Sequence, residues 1–104
     1  MQKEVFIVGE MTCTEDAISN VEDILKELRA QTRNEKGCIY YQFFKAENKT
    51  GVFATIEHWD SVAAEAAHWE TPHLKEAGKK LQPYLISEMQ ISRYNRTTGE
   101  SGCQ

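Results

Sequence analysis

Residues 38–59 read CIYYQFFKAENKTGVFATIEHW. The first nine are crowded with aromatic and β-branched side chains, which suit a pleated, half-buried surface, so 38–46 reads as a strand. ENKTG supplies Asn48 and Gly51 as turn-formers, and VFATIEHW reads as another strand over 52–59. A five-residue connection makes the two a hairpin. Side chains alternate along a strand, so Phe53, Thr55, Glu57 and Trp59 share one face, and Val52, Ala54, Ile56 and His58 the other. The first set mixes a carboxylate and a hydroxyl with two aromatics; the second is apolar until His58.

Working outward, residues 3–11 contain the apolar run Val5–Phe6–Ile7–Val8 and read as a first strand. Thr12 and Glu15 have the S/T-x-x-E spacing of a capping box, and Ala17, Ile18, Val21, Leu25 and Leu28 follow at steps of three and four. This predicts an amphipathic helix that ends before Gly37. Beyond the hairpin, Asp60 or Ser61 can cap a helix through VAAEAAHWE, and Thr71–Pro72 restarts helix with Pro72 at its first position. Pro83 ends that piece, and LISEMQISRY, 85–94, alternates as a fourth strand.

The order β-α-β-β-α-β predicts a ferredoxin-like α+β domain over 1–95, with an antiparallel four-stranded sheet and a polar, flexible tail over 96–104. Two helices cover only one face of such a sheet. The other face needs a cover, and a second copy of the chain is the simplest, giving a homodimer.

Composition sets limits on function. With 104 residues the chain has room for one core, and sixteen acidic against twelve basic residues argue against a nucleic-acid surface. No apolar run approaches the roughly 20 residues that span a bilayer, and Glu4 and Glu10 interrupt the N-terminal apolar run, so neither a membrane segment nor a signal peptide is expected. Cys13, Cys38 and Cys103 are odd in number and widely spaced, as expected of reduced thiols in a cytoplasmic protein.

Both tryptophans and all three histidines fall within 56–74. Two readings of that crowding stay open. Trp59 fills the core while Glu57 pairs with an arginine, or both line a small-molecule pocket between sheet and helices. His68 is either a general base, its unperturbed pKa of about 6.5 suiting proton transfer, or a buried neutral ring bonded to a carbonyl. His68 and His73 lie about 140° apart on an ideal helix, so no metal site is expected from them. His58 reads as a surface or interface residue and Trp69 as packing.

Three motifs carry a resemblance that spans nearly the whole chain. They are E-x-G-C-x-x-Y (Glu35, Gly37, Cys38, Tyr41), E-x-W-x-S (Glu57, Trp59, Ser61), and a histidine nine residues after that tryptophan followed by T-P-H (His68, Thr71–Pro72–His73). In their order and spacing the chain resembles the antibiotic biosynthesis monooxygenase (ABM) family, and within it the small bacterial quinol monooxygenases. The resemblance implies a dimeric α/β barrel and a cofactor-free oxidation of a small aromatic substrate, an electron-rich phenol or hydroquinone, by molecular oxygen. It implies His68 as catalytic base, Trp59 and Tyr41 holding the ring, and Thr55, Glu57 and His73 orienting its oxygens. Thr55 and Glu65 stand where members acting on aromatic polyketides carry asparagine and tyrosine, which argues against that substrate class. The first strand lacks the asparagine, and KEAGKKL the histidine, of haem-degrading relatives. An isomerase of signal turnover and a non-catalytic binding module are the alternatives on the same fold.

Overall fold

The computed structural model describes residues 3–97. Its strands are β1 (Val5–Thr12), β2 (Cys38–Lys45), β3 (Val52–Trp59) and β4 (Gln90–Tyr94), and its helices α1 (Ile18–Thr32), α2 (Val62–Trp69) and α3 (Pro72–Leu81). The antiparallel sheet runs β2-β3-β1-β4, the ferredoxin-like order, with α1, α2 and α3 against one face.

The alternation on β3 sets the layers. Phe53, Thr55, Glu57 and Trp59 all turn inward and are at most 5% exposed. Two adjoining clusters form the core: Met11, Val21, Leu25, Phe53 and Leu81 at one end, and Ile7, Leu28, Tyr41, Trp59 and Ala77 at the other. Helix α1 serves both, because its apolar positions recur every three or four residues along fifteen residues.

Gly9 lies between Thr55 and Ile91 on neighbouring strands. A Cβ there would sit 2.6 Å from Thr55 Oγ1 and 3.2 Å from Ile91 Cδ1, so the missing side chain makes room for a buried hydroxyl.

Two local expectations need correction. Thr12 does not cap a helix; it ends β1, and its carbonyl accepts the Ile86 N–H at 2.8 Å. The chain turns instead through a 3-10 segment, Glu15–Ala17, with Thr14 before it making no side-chain cap. The fourth strand is also shorter than 85–94. Leu85 bridges Cys13 and Gln90 pairs with Glu10, so five residue steps of the last segment run beside three from Glu10 to Cys13. The two extra residues loop out of the ladder. An even offset preserves the alternation, so Leu85, Met89 and Ile91 still turn inward.

The expected tail begins with a residue that is tied down: Arg96 pairs with Glu4 at 3.1 Å and lies over the Phe6 ring. Its remainder from 98 onward, including Cys103, lies outside the described residues, as do residues 1–2. Cys13 and Cys38 are free thiols. Among the described residues no helix is long and apolar enough to cross a membrane.

The close approach at Gly9 generates a test. Gly9→Ala is expected to lower the unfolding free energy by about 1–3 kcal/mol, read from urea denaturation. In the Gly9→Ala/Thr55→Ala double variant the loss should be smaller than the sum of the two single losses, because the clashing hydroxyl is gone. Strict additivity would refute the contact.

Candidate active site

Between the sheet and the helices lies a cavity of about 350 Å3. Tyr41, Thr55, Glu57 and His68 supply its buried polar groups, Lys75 and Trp69 also border it, and Leu74, Leu81, Met89 and Ile91 form much of its apolar wall. A mostly apolar chamber with a few converging polar groups is the usual form of a small-molecule site.

Helix α2 places His68 there. Ser61 Oγ accepts the Ala64 N–H at 3.0 Å and starts the helix. Glu65 and His68 form its buried side, and Ala64 packs close to the start of β2, where a Cβ on Gly37 would lie 2.5 Å from that of Ala64 and 2.6 Å from Asp60 Oδ1. Gly37 has φ +86°, so the chain can enter β2 beneath α2 only with glycine here. Thr71 then joins the two helices. Its hydroxyl donates to the His68 carbonyl at 2.8 Å and accepts the Leu74 N–H at 3.4 Å, beginning α3.

That short join corrects the reading of His68 and His73 as two positions on one helix. They occupy α2 and α3, and their rings are 6.4 Å apart. Both meet Glu35, whose Oε2 lies 2.9 Å from His68 Nδ1 and 2.5 Å from His73 Nε2. An ionised carboxylate only accepts, so each of these nitrogens carries a hydrogen toward it. In a neutral His68 that leaves Nε2 as the lone-pair atom, on a ring 2% exposed that lines the cavity.

The neighbouring groups are held in contrasting states. Burial pushes the Glu57 carboxyl above its ordinary range, against the opposing pull of the Trp59 N–H, which it accepts at 3.0 Å, and of His68. Burial, reinforced by Glu57, pushes the Tyr41 hydroxyl far up, so it stays a neutral phenol. Burial also raises the Cys38 thiol to about 11. For Glu65 burial acts upward, but Arg93 at 2.6 Å and the Trp69 indole N–H together hold the carboxyl below its ordinary range.

Of the residues singled out in the sequence, Tyr41, Thr55, Glu57 and His68 converge on the cavity. Trp59 sits behind them, fully buried, its ring 4.8 Å from that of His68. It is a core filler, but its partner Glu57 takes an indole N–H rather than an arginine. Trp69 lines the cavity and is held by Glu65, so it is more than packing. His73 looks onto an outer groove. His58 lies on the outer sheet face, stacked on Phe6 and bonded to Glu4 at 2.9 Å. Glu35 had no assigned role; its place in the E-x-G-C-x-x-Y motif was the only signal, because its partners lie 33 and 38 residues away.

Comparison with known proteins agrees with this architecture. The family model described as antibiotic biosynthesis monooxygenase matches residues 4–80. A conserved protein of Methanosarcina mazei superposes with a TM-score of 0.87 at 21% identity, covering 92% of this chain and 95% of its own. A Caulobacter crescentus protein provisionally described as an antibiotic biosynthesis monooxygenase gives 0.88 at 23% identity, covering 93% and 92%. At these identities the likeness concerns the fold. An uncharacterised Synechocystis protein is 33% identical over 63 residues, a match spanning 61% of this chain and 43% of that protein. With most of its length matched by the family model, the chain belongs to the antibiotic biosynthesis monooxygenase (ABM) family.

Proposed function

We propose that the protein oxidises a small electron-rich phenol or hydroquinone with molecular oxygen, using no cofactor, as a homodimer. The observation that carries this reading is the oriented imidazole on the apolar cavity: Glu35 holds Nδ1 of His68, leaving Nε2 to take a proton. Removing a phenolic proton makes an electron-rich phenolate, which passes one electron to oxygen. The radical pair can combine and lose water, converting hydroquinone and O2 to hydroxyquinone and H2O. A second electron transfer would instead give quinone and H2O2. In both routes the electrons come from the substrate. The chain's part is deprotonation, positioning and exclusion of bulk water.

Tyr41, Thr55, Glu57 and Trp69 line the cavity, which supports a reading in which the neutral Tyr41 hydroxyl, Thr55 and Glu57 orient substrate oxygens and Trp69 packs on the ring. The cavity volume suits a compact aromatic.

The dimer reading is supported by the outer sheet face. Val8, Tyr40, Phe44 and Ile56 are 38–47% exposed there, and cross-strand pairing joins Val8 and Ile56 into one apolar surface. Such a face on a small domain is normally covered.

Oxygen consumption with a panel of hydroquinones, under chelator, checks the activity. His68→Ala is expected to lower kcat/KM by about 10²–10⁴-fold, with His68→Gln as a bulkier control for packing. An unchanged rate in both would refute the base, and product formed without oxygen would favour isomerisation. For assembly, light scattering should find a dimer that Ile56→Lys converts to monomer; a monomeric parent protein would refute that part.

A further inference from the structure

We propose that Glu35, His68 and His73 bind one divalent transition-metal ion of the zinc class, and that its binding switches off His68 as a base. The switch rests on the base role proposed above; the binding does not.

One ligand atom from each residue lies within 4.8 Å of the others, and Glu35 Oε2 already faces His68 Nδ1 and His73 Nε2. Two imidazoles and a carboxylate are a borderline donor set that suits zinc-class ions better than calcium or magnesium. Tetrahedral coordination at about 2.0–2.1 Å places ligand atoms about 3.3 Å apart. From the present 2.9 and 2.5 Å, Glu35 needs to retreat from the two rings by less than about 1 Å. The two ring nitrogens, within 4.8 Å of each other, need to close by up to about 1.5 Å, which ring and side-chain torsions of His68 and His73 must supply. The side chains come from three separate stretches of chain and are only 2–16% exposed, so the fold rather than local sequence gathers them.

An approach path exists. His73 borders an outer groove of about 230 Å3 that also carries Asp23, Glu27 and Glu76 against the single cation of Lys80. Three carboxylates there favour cation entry. The cluster is already hydrogen-bonded without an ion, so the chain folds in either state and the ion acts reversibly.

The chemistry of the switch follows from the tautomers. In the hydrogen-bonded cluster, His68 carries its hydrogen on Nδ1 and His73 on Nε2, both toward Glu35. Coordination takes the lone pairs of those same nitrogens. Each neutral ring therefore keeps its single proton and moves it to its other nitrogen, with no net proton released. His68 Nε2 becomes a donor, and the cavity loses its base.

Cobalt(II) is the probe for binding. Chelator-treated protein titrated with Co2+ should develop the visible absorption of low-symmetry, near-tetrahedral coordination at one ion per chain, reversed by Zn2+. His73→Ala and Glu35→Ala, each checked for native circular dichroism, should weaken binding by more than about tenfold. No one-to-one absorption, or absorption retained in both variants, overturns the site. Histidine-selective nitrogen NMR of the parent protein covers the case in which a variant misfolds: Zn2+ should shift the His68 proton from Nδ1 to Nε2, and an unmoved proton overturns the proposal. Zn2+ should inhibit hydroquinone oxidation in proportion to occupancy; binding without inhibition overturns the switch alone. If no hydroquinone is oxidised, the proposed activity fails while the cobalt spectrum still decides the site.

Discussion

The packing of β3 against the helical layer is the constraint on which the rest of the structure depends. Trp59 is fully buried at the end of that strand, with Glu57 beside it taking the indole N–H and the Tyr41 and His68 rings against it. A buried tryptophan needs a partner for its N–H, and supplying one from a carboxylate forces a charged-type group into the interior. The raised pKa direction of Glu57 reflects that burial. One strand face thus builds the core with its aromatics and the chemical floor of the cavity with Thr55 and Glu57.

The opposite wall depends on how closely α2 can approach. Gly37 and the small Ala64 opposite it remove the side-chain atoms that would hold the start of β2 away from α2. Thr71 then turns the chain within two residues, so that His68 and His73 converge on Glu35. A carboxylate shared by two imidazoles fixes both tautomers at once. The contacts that orient His68 for its proposed role as a base are also the donor set proposed for a metal ion, so the two proposals draw on one geometry and exclude each other in time.

How far the site was legible differs residue by residue. Period-two alternation put Thr55 and Glu57 on a common face, and that parity survives intact because a strand has little freedom to do otherwise. Trp59 followed the same parity, yet ends behind the cavity rather than on it, because alternation gives a direction and not a depth. The helical angle between His68 and His73 was misleading because it assumed one continuous helix. Thr71–Pro72 marks the break, but the spatial meeting of the two rings depends on the turn angle. Glu35 was invisible as a partner because its contacts cross more than thirty residues.

By itself, the sequence determined the order of elements, the inward face of β3, the cap at Thr71 and the amphipathic stripe of α1, and narrowed the cap of α2 to Asp60 or Ser61. These are local consequences of periodicity, side-chain oxygens and missing donors, acting over a few residues. The tertiary structure alone decided that the stretch between Leu85 and Gln90 carries two residues more than the stretch of chain opposite it, that Trp69 rather than Trp59 borders the cavity, and that one carboxylate joins His68 to His73. Each of those depends on how far a layer can approach before side chains meet. That distance is set jointly by residues remote in sequence, such as Gly37 against Ala64, and no local pattern encodes it.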